Sequence, residues 1–137
     1  MKKLVIFGSG DLADIAHYFF SSDSEYEVVA FTLDEEYIKD GVCCGLPVIA
    51  FYEVIKLYPP QEHAFFVALS YSKLNQIRKD KYLAAKALGY QLVSYISSNA
   101  TIASNVQIGE NCFIFEDNTV QPFVNIGNNV TLWSGNH

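Results

Sequence analysis

The residues near the amino terminus that are best suited to chemistry form a glycine-rich turn. Residues 8–13 read GSGDLA, which fits G-x-G-x-x-A, and they follow the apolar run 4–7. In such a turn the first glycine permits the bend, the second lets the backbone approach a diphosphate, and the alanine allows close helix–strand packing. A helix beginning here also offers unpaired N–H groups to an anion. We therefore expect Gly8, Ser9 and Gly10 to bind a phosphate-bearing ligand, although the glycines could also serve only the turn.

A single carboxylate follows this turn at the spacing that nucleotide-binding folds use. Asp34 closes the second predicted strand, at about the distance where dinucleotide folds place an acid on a ribose hydroxyl. Taken without the rest of the chain, the two features would favour NAD. Asp11 would repel a phosphate if it pointed inward, so we expect it to cap the helix instead.

Two further candidates are a tyrosine and a histidine. Tyr71 follows the buried strand 64–69, where its ring could stack on a base or simply pack in the fold. His137 is the final residue, and an imidazole with an ordinary pKa of about 6.5 is well suited to act as a general base. His17 and His63 lie in a predicted helix and a loop, where we expect packing or surface roles.

Residues 1–95 alternate between short apolar strands and amphipathic helices. A strand, tight turn, helix and strand in succession predict a right-handed βαβ unit with parallel strands. The region therefore predicts a small Rossmann-like α/β domain with a doubly wound sheet. The predicted strands are 4–7, 27–31, 47–49, 64–69 and 91–95, and the predicted helices are 11–20, 52–57 and 73–88. The last helix should bury Leu74, Ile77, Tyr82 and Leu83 and end at Gly89.

From residue 96 onward the period changes to six. Aliphatic residues recur without a miss at Ile96, Ile102, Ile108, Ile114, Val120, Ile126 and Leu132. Neither a helix nor an alternating strand has this period, whereas hexapeptide β-helices do. Asparagine, aspartate and glycine between the aliphatic positions tolerate the backbone conformations of corners. Residues 96–137 therefore predict a parallel β-helix, and they resemble the first coils of the left-handed kind, in which one aliphatic side chain points inward from each side.

Composition narrows the class of protein. Half of the 137 residues are hydrophobic and the net charge is −6, which disfavours a nucleic-acid partner. No apolar run approaches the roughly 20 residues of a membrane span, and we expect a cytoplasmic protein. The three cysteines, Cys43, Cys44 and Cys112, form no C-x-x-C pair, so neither disulfides nor a metal site is expected.

The glycine turn joined to hexapeptides resembles the bacterial sugar acyltransferases, which include sialic acid O-acetyltransferases and N-acetyltransferases of nucleotide-linked amino sugars. The resemblance spans the chain and implies homotrimers, acetyl-CoA as the acetyl donor and a β-helix histidine as general base. It also places a diphosphate and sugar near Gly8, Ser9 and Gly10, and the base or ribose near Asp34. Members often carry a glycine–acidic–Asn turn and an Arg after the third main strand. Here residues 69–72 read LSYS and an arginine follows only at Arg78.

The resemblance predicts transfer of acetyl to an amino or hydroxyl group of a nucleotide-linked sugar for surface polysaccharide. The ending GNH resembles a motif whose catalytic histidine lies a few residues further on, so His137 is either that base or its neighbour. Because the hexapeptides form barely more than two coils, we expect a longer protein and a weak or absent activity in this piece. An NAD(P)-binding redox or sensor domain and a non-catalytic oligomerisation module are the alternatives.

Overall fold

The structure is a computed structural model that describes residues 2–69 and 75–134. Contacts along the chain separate two compact units, Met1–Leu92 and Val93–His137. The first is an α/β unit built on a six-stranded sheet, and the second is a stack of two-residue parallel strands. The predicted fold class is therefore confirmed.

The sheet of the first unit has the order β3-β4-β2-β1-β5-β6. All neighbouring strands are parallel except β3 and β4, which form an antiparallel hairpin. Strands β1 and β5 lie inside the sheet, and their apolar side chains are almost wholly buried because helices cover a parallel sheet on both faces. The elements are β1 Lys2–Phe7, α1 Asp11–Ser22, β2 Tyr26–Leu33, β3 Val42–Cys43, β4 Leu46–Ala50, α2 Phe51–Leu57, β5 His63–Val67, α3 Asn75–Ala87 and β6 Gln91–Leu92, with a short 3-10 turn at Glu35–Tyr37.

The start of α1 differs from the sequence-based expectation. Gly10, and not Asp11, occupies the N-cap position, and no side chain caps the helix. Asp11 is the first helical residue and shares the first turn with Asp14. Both carboxylates are exposed, and negative charge at this end of a helix is favourable to the helix itself.

Two of the four residues predicted on the apolar face of α3 are exposed, Tyr82 is buried as predicted, and Leu74 lies outside the described residues. Ile77 and Leu83 are 46% and 48% exposed, whereas Arg78, Tyr82 and Ala85 are buried. The helix is therefore turned so that the long cationic side chain of Arg78 and the small side chain of Ala85 face the sheet. Its end was predicted correctly, because Gly89 has φ +100° and its N–H donates to the carbonyl of Lys86.

The β3–β4 hairpin was not predicted from the sequence. Its register pairs Cys43 with Leu46, which leaves Cys44 and Gly45 as a two-residue loop with φ of +53° and +78°. Two successive positive φ values match the type I′ turn that suits short hairpins. The hairpin therefore presents two adjacent cysteines at a sharp turn.

The second unit repeats every six residues, as the sequence predicted. Seven strands begin at Tyr95 and recur at six-residue intervals, and each aliphatic position of the series is the second residue of its strand. Strands 18 residues apart pair in parallel, as Phe113 with Thr131 and with Tyr95. Three separate ladders result, one for each side of a three-sided parallel β-helix. The strands are β7 Tyr95–Ile96, β8 Thr101–Ile102, β9 Gln107–Ile108, β10 Phe113–Ile114, β11 Thr119–Val120, β12 Asn125–Ile126 and β13 Thr131–Leu132.

Since β7 opens the β-helix, the predicted strand 91–95 is interrupted: β6 covers Gln91–Leu92 only. The corners of the β-helix use a left-handed backbone at a regular interval. Asn111, Asp117, Phe123 and Asn129 all have φ between +56° and +67°. Asparagine and aspartate accept this conformation most readily among residues with a side chain. Phe123 is the one residue of these four that is neither asparagine nor aspartate, and its side chain is 84% exposed.

Candidate functional site

The strand order places a crevice at the carboxyl ends of β1 and β5. From β1 the chain moves outward through β2 and β4, and it then crosses to β5 on the other side of β1. Ligands of doubly wound sheets bind where the order reverses in this way, outside the carboxyl ends of the strands. The Gly8–Gly10 turn follows β1 at this edge, and Asp34 directly follows the neighbouring strand β2.

Gly8 is fixed by backbone geometry. Its φ is +139°, its N–H donates to the Thr32 carbonyl at 3.1 Å, and a Cβ at this position would lie 2.7 Å from the Ala68 carbonyl oxygen. The same Cβ would lie 3.4 Å from the Cβ of Ala13, which is itself fully buried. The first glycine and the alanine of the motif therefore serve close packing of the turn between two strands and the helix.

Gly10 is a glycine for a different reason. A Cβ there would have no neighbour within 4 Å, and its φ of −91° is open to any residue. Ser9 and Gly10 are both exposed, and the Gly10 carbonyl accepts a 3.1 Å hydrogen bond from the Asp14 N–H. Packing within the unit does not require this glycine, and its absent side chain leaves room at the helix N-terminus for a ligand to approach the backbone.

Asp34 is paired with a lysine that the sequence analysis had assigned to no site. The Lys81 Nζ donates to Asp34 Oδ1 at 2.5 Å, with side chains 20% and 32% exposed respectively. The ammonium also lies 5.3 Å from the ring centre of Phe7 and 4.7 Å from that of Phe51. Cation–π contacts on two rings and an ion pair hold the charge over the ends of β1 and β4.

At this edge of the sheet, the ammonium group of Lys81 is therefore held beside the carboxylate of Asp34. Asp34 keeps a second oxygen that can accept a hydrogen bond from a hydroxyl, while Lys81 offers two further N–H donors. A phosphate and a ribose are the groups that such a pair suits. Sequence reasoning missed Lys81 because the pair spans 47 residues and helical spacing alone makes it look like a solvated lysine.

Two of the predicted site residues, Tyr71 and His137, lie outside the residues that the structure describes. His63 is buried, with Nδ1 2.9 Å from the Pro59 carbonyl and its ring edge-on to Tyr58 at 5.3 Å. His17 is half-buried with its ring 5.9 Å from that of Phe31. Both described histidines therefore make packing contacts.

A cavity of about 340 Å³ lies in the second unit, and none of the predicted site residues that the structure describes lines it. Its walls are mostly the inward aliphatic series, with Val120, Ile126 and Leu132 beside Val124. Asn118, Thr119 and Gln121 contribute the polar part, and the Asn118 Nδ2 donates to the Leu132 carbonyl at 3.2 Å. Since it is the interior of the β-helix at its last described coil, this cavity offers apolar surface for packing and no group suited to acid–base chemistry.

No family model matches the chain, and no curated protein does. Solved structures do match over 98% of it. The acetyltransferase domain of PglB from Neisseria gonorrhoeae FA1090 aligns with TM-score 0.81 and 24% identity. PerB from Caulobacter crescentus, solved in complex with CoA and GDP-perosamine, aligns with TM-score 0.81 and 21% identity. The fold is that of these acetyltransferases.

The likeness confirms, at the level of the fold, the resemblance that the sequence suggested. The chain spans 63% of the PglB domain and 61% of PerB. PglB's domain was also solved in complex with acetyl coenzyme A, at 23% identity to this chain. Among the residues that the structure describes, none of the helices has the length and apolarity that a bilayer span requires.

Proposed function

We propose that this chain is part of an acetyltransferase that transfers acetyl from acetyl-CoA to an amino or hydroxyl group of a nucleotide-linked sugar, in the synthesis of surface polysaccharide. The observation that carries the proposal is the alignment of both units, in order, over 98% of the chain with PerB, a protein solved with CoA and GDP-perosamine. A glycine turn alone would favour NAD. The combination of this turn with a hexapeptide β-helix favours an acetyltransferase.

The nucleotide sugar would bind at the carboxyl edge of the sheet. The turn from Gly8 through Ser9 to Gly10 leads into α1, whose free N–H groups would meet the diphosphate. Asp34 would accept a hydrogen bond from a ribose hydroxyl, and Lys81 would place positive charge near the phosphates. That charge offsets the carboxylates of the first turn of α1, which oppose an anion. Tyr71 would contact the base.

The chemical step is acyl transfer without a covalent enzyme intermediate. The acceptor nitrogen or oxygen attacks the thioester carbonyl, its new bond to carbon forms, and the carbon–sulfur bond breaks to release CoA as a thiolate, which then takes up a proton. A histidine base takes the proton that the acceptor loses. His137 or a histidine beyond it would serve as this base, and the Asn-His ending favours an amine as the acceptor. Donor-binding residues would come largely from later coils, in a homotrimer located in the cytoplasm.

Ligand titration tests the first half of the proposal. Calorimetry with UDP-, dTDP- and GDP-sugars should show binding, with NAD and NADP weaker than the best nucleotide sugar. Gly10→Ala should keep the fold and weaken binding, because its methyl group would occupy the space beside the turn. Gly127→Ala, which also adds a methyl group to open space, is the matched control in the second unit. Tighter binding of NAD than of any nucleotide sugar would overturn the proposal in favour of a redox or sensor domain.

Thiol release from acetyl-CoA tests the second half. Because the chain spans 61% of PerB, we expect little turnover from these 137 residues alone with a bound nucleotide sugar, whereas a form with further coils at the carboxyl end should be active. Replacing the histidine base by asparagine in the extended form should remove turnover while leaving nucleotide-sugar binding intact. If the extended form binds neither acetyl-CoA nor a nucleotide sugar, the β-helix is only an oligomerisation module.

A further inference from the structure

Two thiols and a carboxylate meet at the surface of the first unit. Cys43 ends β3, Cys44 is the first loop residue of the hairpin, and Asp14 lies in the first turn of α1. The Sγ atoms of the two cysteines are 3.8 Å apart. Asp14 Oδ1 lies 3.4 Å from the Cys44 Sγ and 3.8 Å from the Cys43 Sγ. These three residues, called here the Cys43–Cys44–Asp14 cluster, bring together thiol and carboxylate groups, both of which are ligands of zinc in proteins.

The three distances agree with those between ligands of one tetrahedral zinc ion. With Zn–S bonds of about 2.3 Å and a Zn–O bond of about 2.0 Å, tetrahedral angles give S···S near about 3.8 Å and S···O near about 3.5 Å. The cluster shows 3.8 Å for the first and 3.4 and 3.8 Å for the second. An ion could therefore be accommodated with shifts of a few tenths of an ångström, which exposed side chains allow.

The backbone holds the two thiols on the same side. In an extended strand adjacent side chains point to opposite faces, which would separate the sulfurs of neighbouring cysteines. Here the left-handed φ of +53° at Cys44 breaks that alternation immediately after Cys43. The hydrogen bond from the Val48 N–H to the Gly41 carbonyl at 2.9 Å ties the two arms of the hairpin together just behind the cysteines.

We propose that the Cys43–Cys44–Asp14 cluster is a binding site for a zinc-class divalent cation, with two thiolates and one carboxylate as ligands and a fourth position open to water. Adjacent cysteines have no C-x-x-C spacing, and Asp14 is 29 residues from Cys43, so the sequence alone gave no reason to expect the site. All three residues belong to the first unit.

The electrostatics of the cluster make ion binding a proton exchange. Burial raises the pKa of the Cys44 thiol to about 12, and the hydrogen bonds with Cys43 and Asp14 act in the same direction. Burial also raises the pKa of Cys43, with the charge of Asp14 adding to the effect. A thiol with an ordinary pKa of about 8.5 is already mostly protonated at neutral pH, so a cation that takes two thiolates releases protons when it binds.

Calorimetry with Zn²⁺ on the reduced chain, in a phosphine reductant that does not bind the metal, tests the proposal. We expect one ion per chain and, from buffers of different ionisation enthalpy, release of about two protons per ion at neutral pH. Cd²⁺ should give the ultraviolet charge-transfer band of a cadmium thiolate. Cys43→Ser and Asp14→Asn should each weaken Zn²⁺ binding by more than about tenfold, because even groups beyond the ligands alter metal affinity by that factor.

Two variants keep the test independent of folding. Cys44→Asn removes the thiol but suits the left-handed backbone, so it should fold and lose binding. Asp11→Asn changes the other exposed acid in the first turn of α1 and should bind Zn²⁺ as the unmodified chain does. Zn²⁺ affinity that is unchanged in Cys43→Ser and Cys44→Asn, or that falls equally in Asp11→Asn, would overturn the proposal.

Discussion

Lys81 reaches from the middle of α3 to Asp34 at the end of β2, where its Nζ lies 2.5 Å from the carboxylate and over two phenylalanine rings. The contact ties the helix that follows β5 to the strand on the other side of β1. The pair therefore fixes the charge distribution at the edge where the nucleotide sugar is proposed to bind.

Removing that charge should have a small and specific effect on stability. We expect Lys81→Met to lower the free energy of unfolding by about 1 kcal/mol or less, since the pair is partly exposed and screened by solvent. Methionine retains apolar contact with the two rings. Urea unfolding at two salt concentrations measures the effect, and Lys79→Met on the exposed side of the same helix is the control. Equal changes in the two variants would mean that the ion pair adds nothing.

The two glycines of the turn should respond differently to the same added methyl group. Gly8→Ala forces a side chain into a positive φ and against the Ala68 carbonyl, and we expect a loss of about 3 kcal/mol or more. Gly10→Ala meets no atom and changes only the residue at the N-cap, so its cost should stay near about 1 kcal/mol or below. Thermal unfolding of the two variants compares them, and similar melting temperatures would contradict the prediction.

The β-helix contains a second matched pair of glycines, 18 residues apart. A Cβ on Gly109 would lie 2.7 Å from the carbonyl carbon and oxygen of Gly127, and closer still to the Asn128 side chain. Gly127 itself has open space. Gly109→Ala should therefore destabilise the second unit by about 1–3 kcal/mol through overpacking, while Gly127→Ala should be close to neutral. Hydrogen exchange of the amides in this unit is the appropriate measurement, because it separates this unit from the first.

Phe123 occupies a corner whose backbone disfavours it. Its φ is +67° and its ring is 84% exposed, so the residue bears the cost of a left-handed conformation without burying its side chain. Phe123→Asn should raise stability by roughly 0.5–1 kcal/mol, as asparagine accepts this conformation. Phe123→Ala, which removes the ring but not the strain, should give no such gain. If Phe123→Ala stabilises the protein as much as Phe123→Asn does, the cost comes from the exposed ring and not from the backbone conformation.

Tyr90 should make stability depend on pH in the alkaline range. Its hydroxyl donates to the Tyr58 carbonyl at 2.5 Å, and burial raises its pKa from 10.0 to about 12 in the folded state. A raised folded pKa gives stability that is complete below pH 10 and is lost as the pH rises towards 12. Tyr90→Phe should cost about 1 kcal/mol at neutral pH and should reduce the fall between these values. If the free energy of unfolding falls equally steeply with pH in the unmodified chain and in Tyr90→Phe, Tyr90 is not the group responsible.

Most of the fold could be predicted because its signals are local. Each hexapeptide carries its own aliphatic residue and corner, so the period of six determines strand and turn without knowledge of distant contacts. The glycine turn is equally local. The face of α3 could not be predicted in this way, since burial of Arg78 in preference to Ile77 depends on what the sheet presents to the helix.

The candidate site was predictable only in part for the same reason. Gly8, Gly10 and Asp34 follow strands at recognisable spacing, but their partners come from elsewhere in the chain. Lys81 is 47 residues from Asp34, and the hairpin cysteines are about 30 residues from Asp14. A two-residue strand such as β3 also carries too few side chains to form a pattern.

The pairing of strands that lie 18 residues apart limits how such a chain can change in length. Inserting six residues would move every later segment to the next side of the prism, whereas inserting a whole coil of 18 returns each side chain to its own side. The bond from Asn111 Nδ2 to Asn129 Oδ1, at 3.0 Å across this interval, would then form again one coil along. Homologues should therefore differ in this region by whole coils, and their lengths should be quantised.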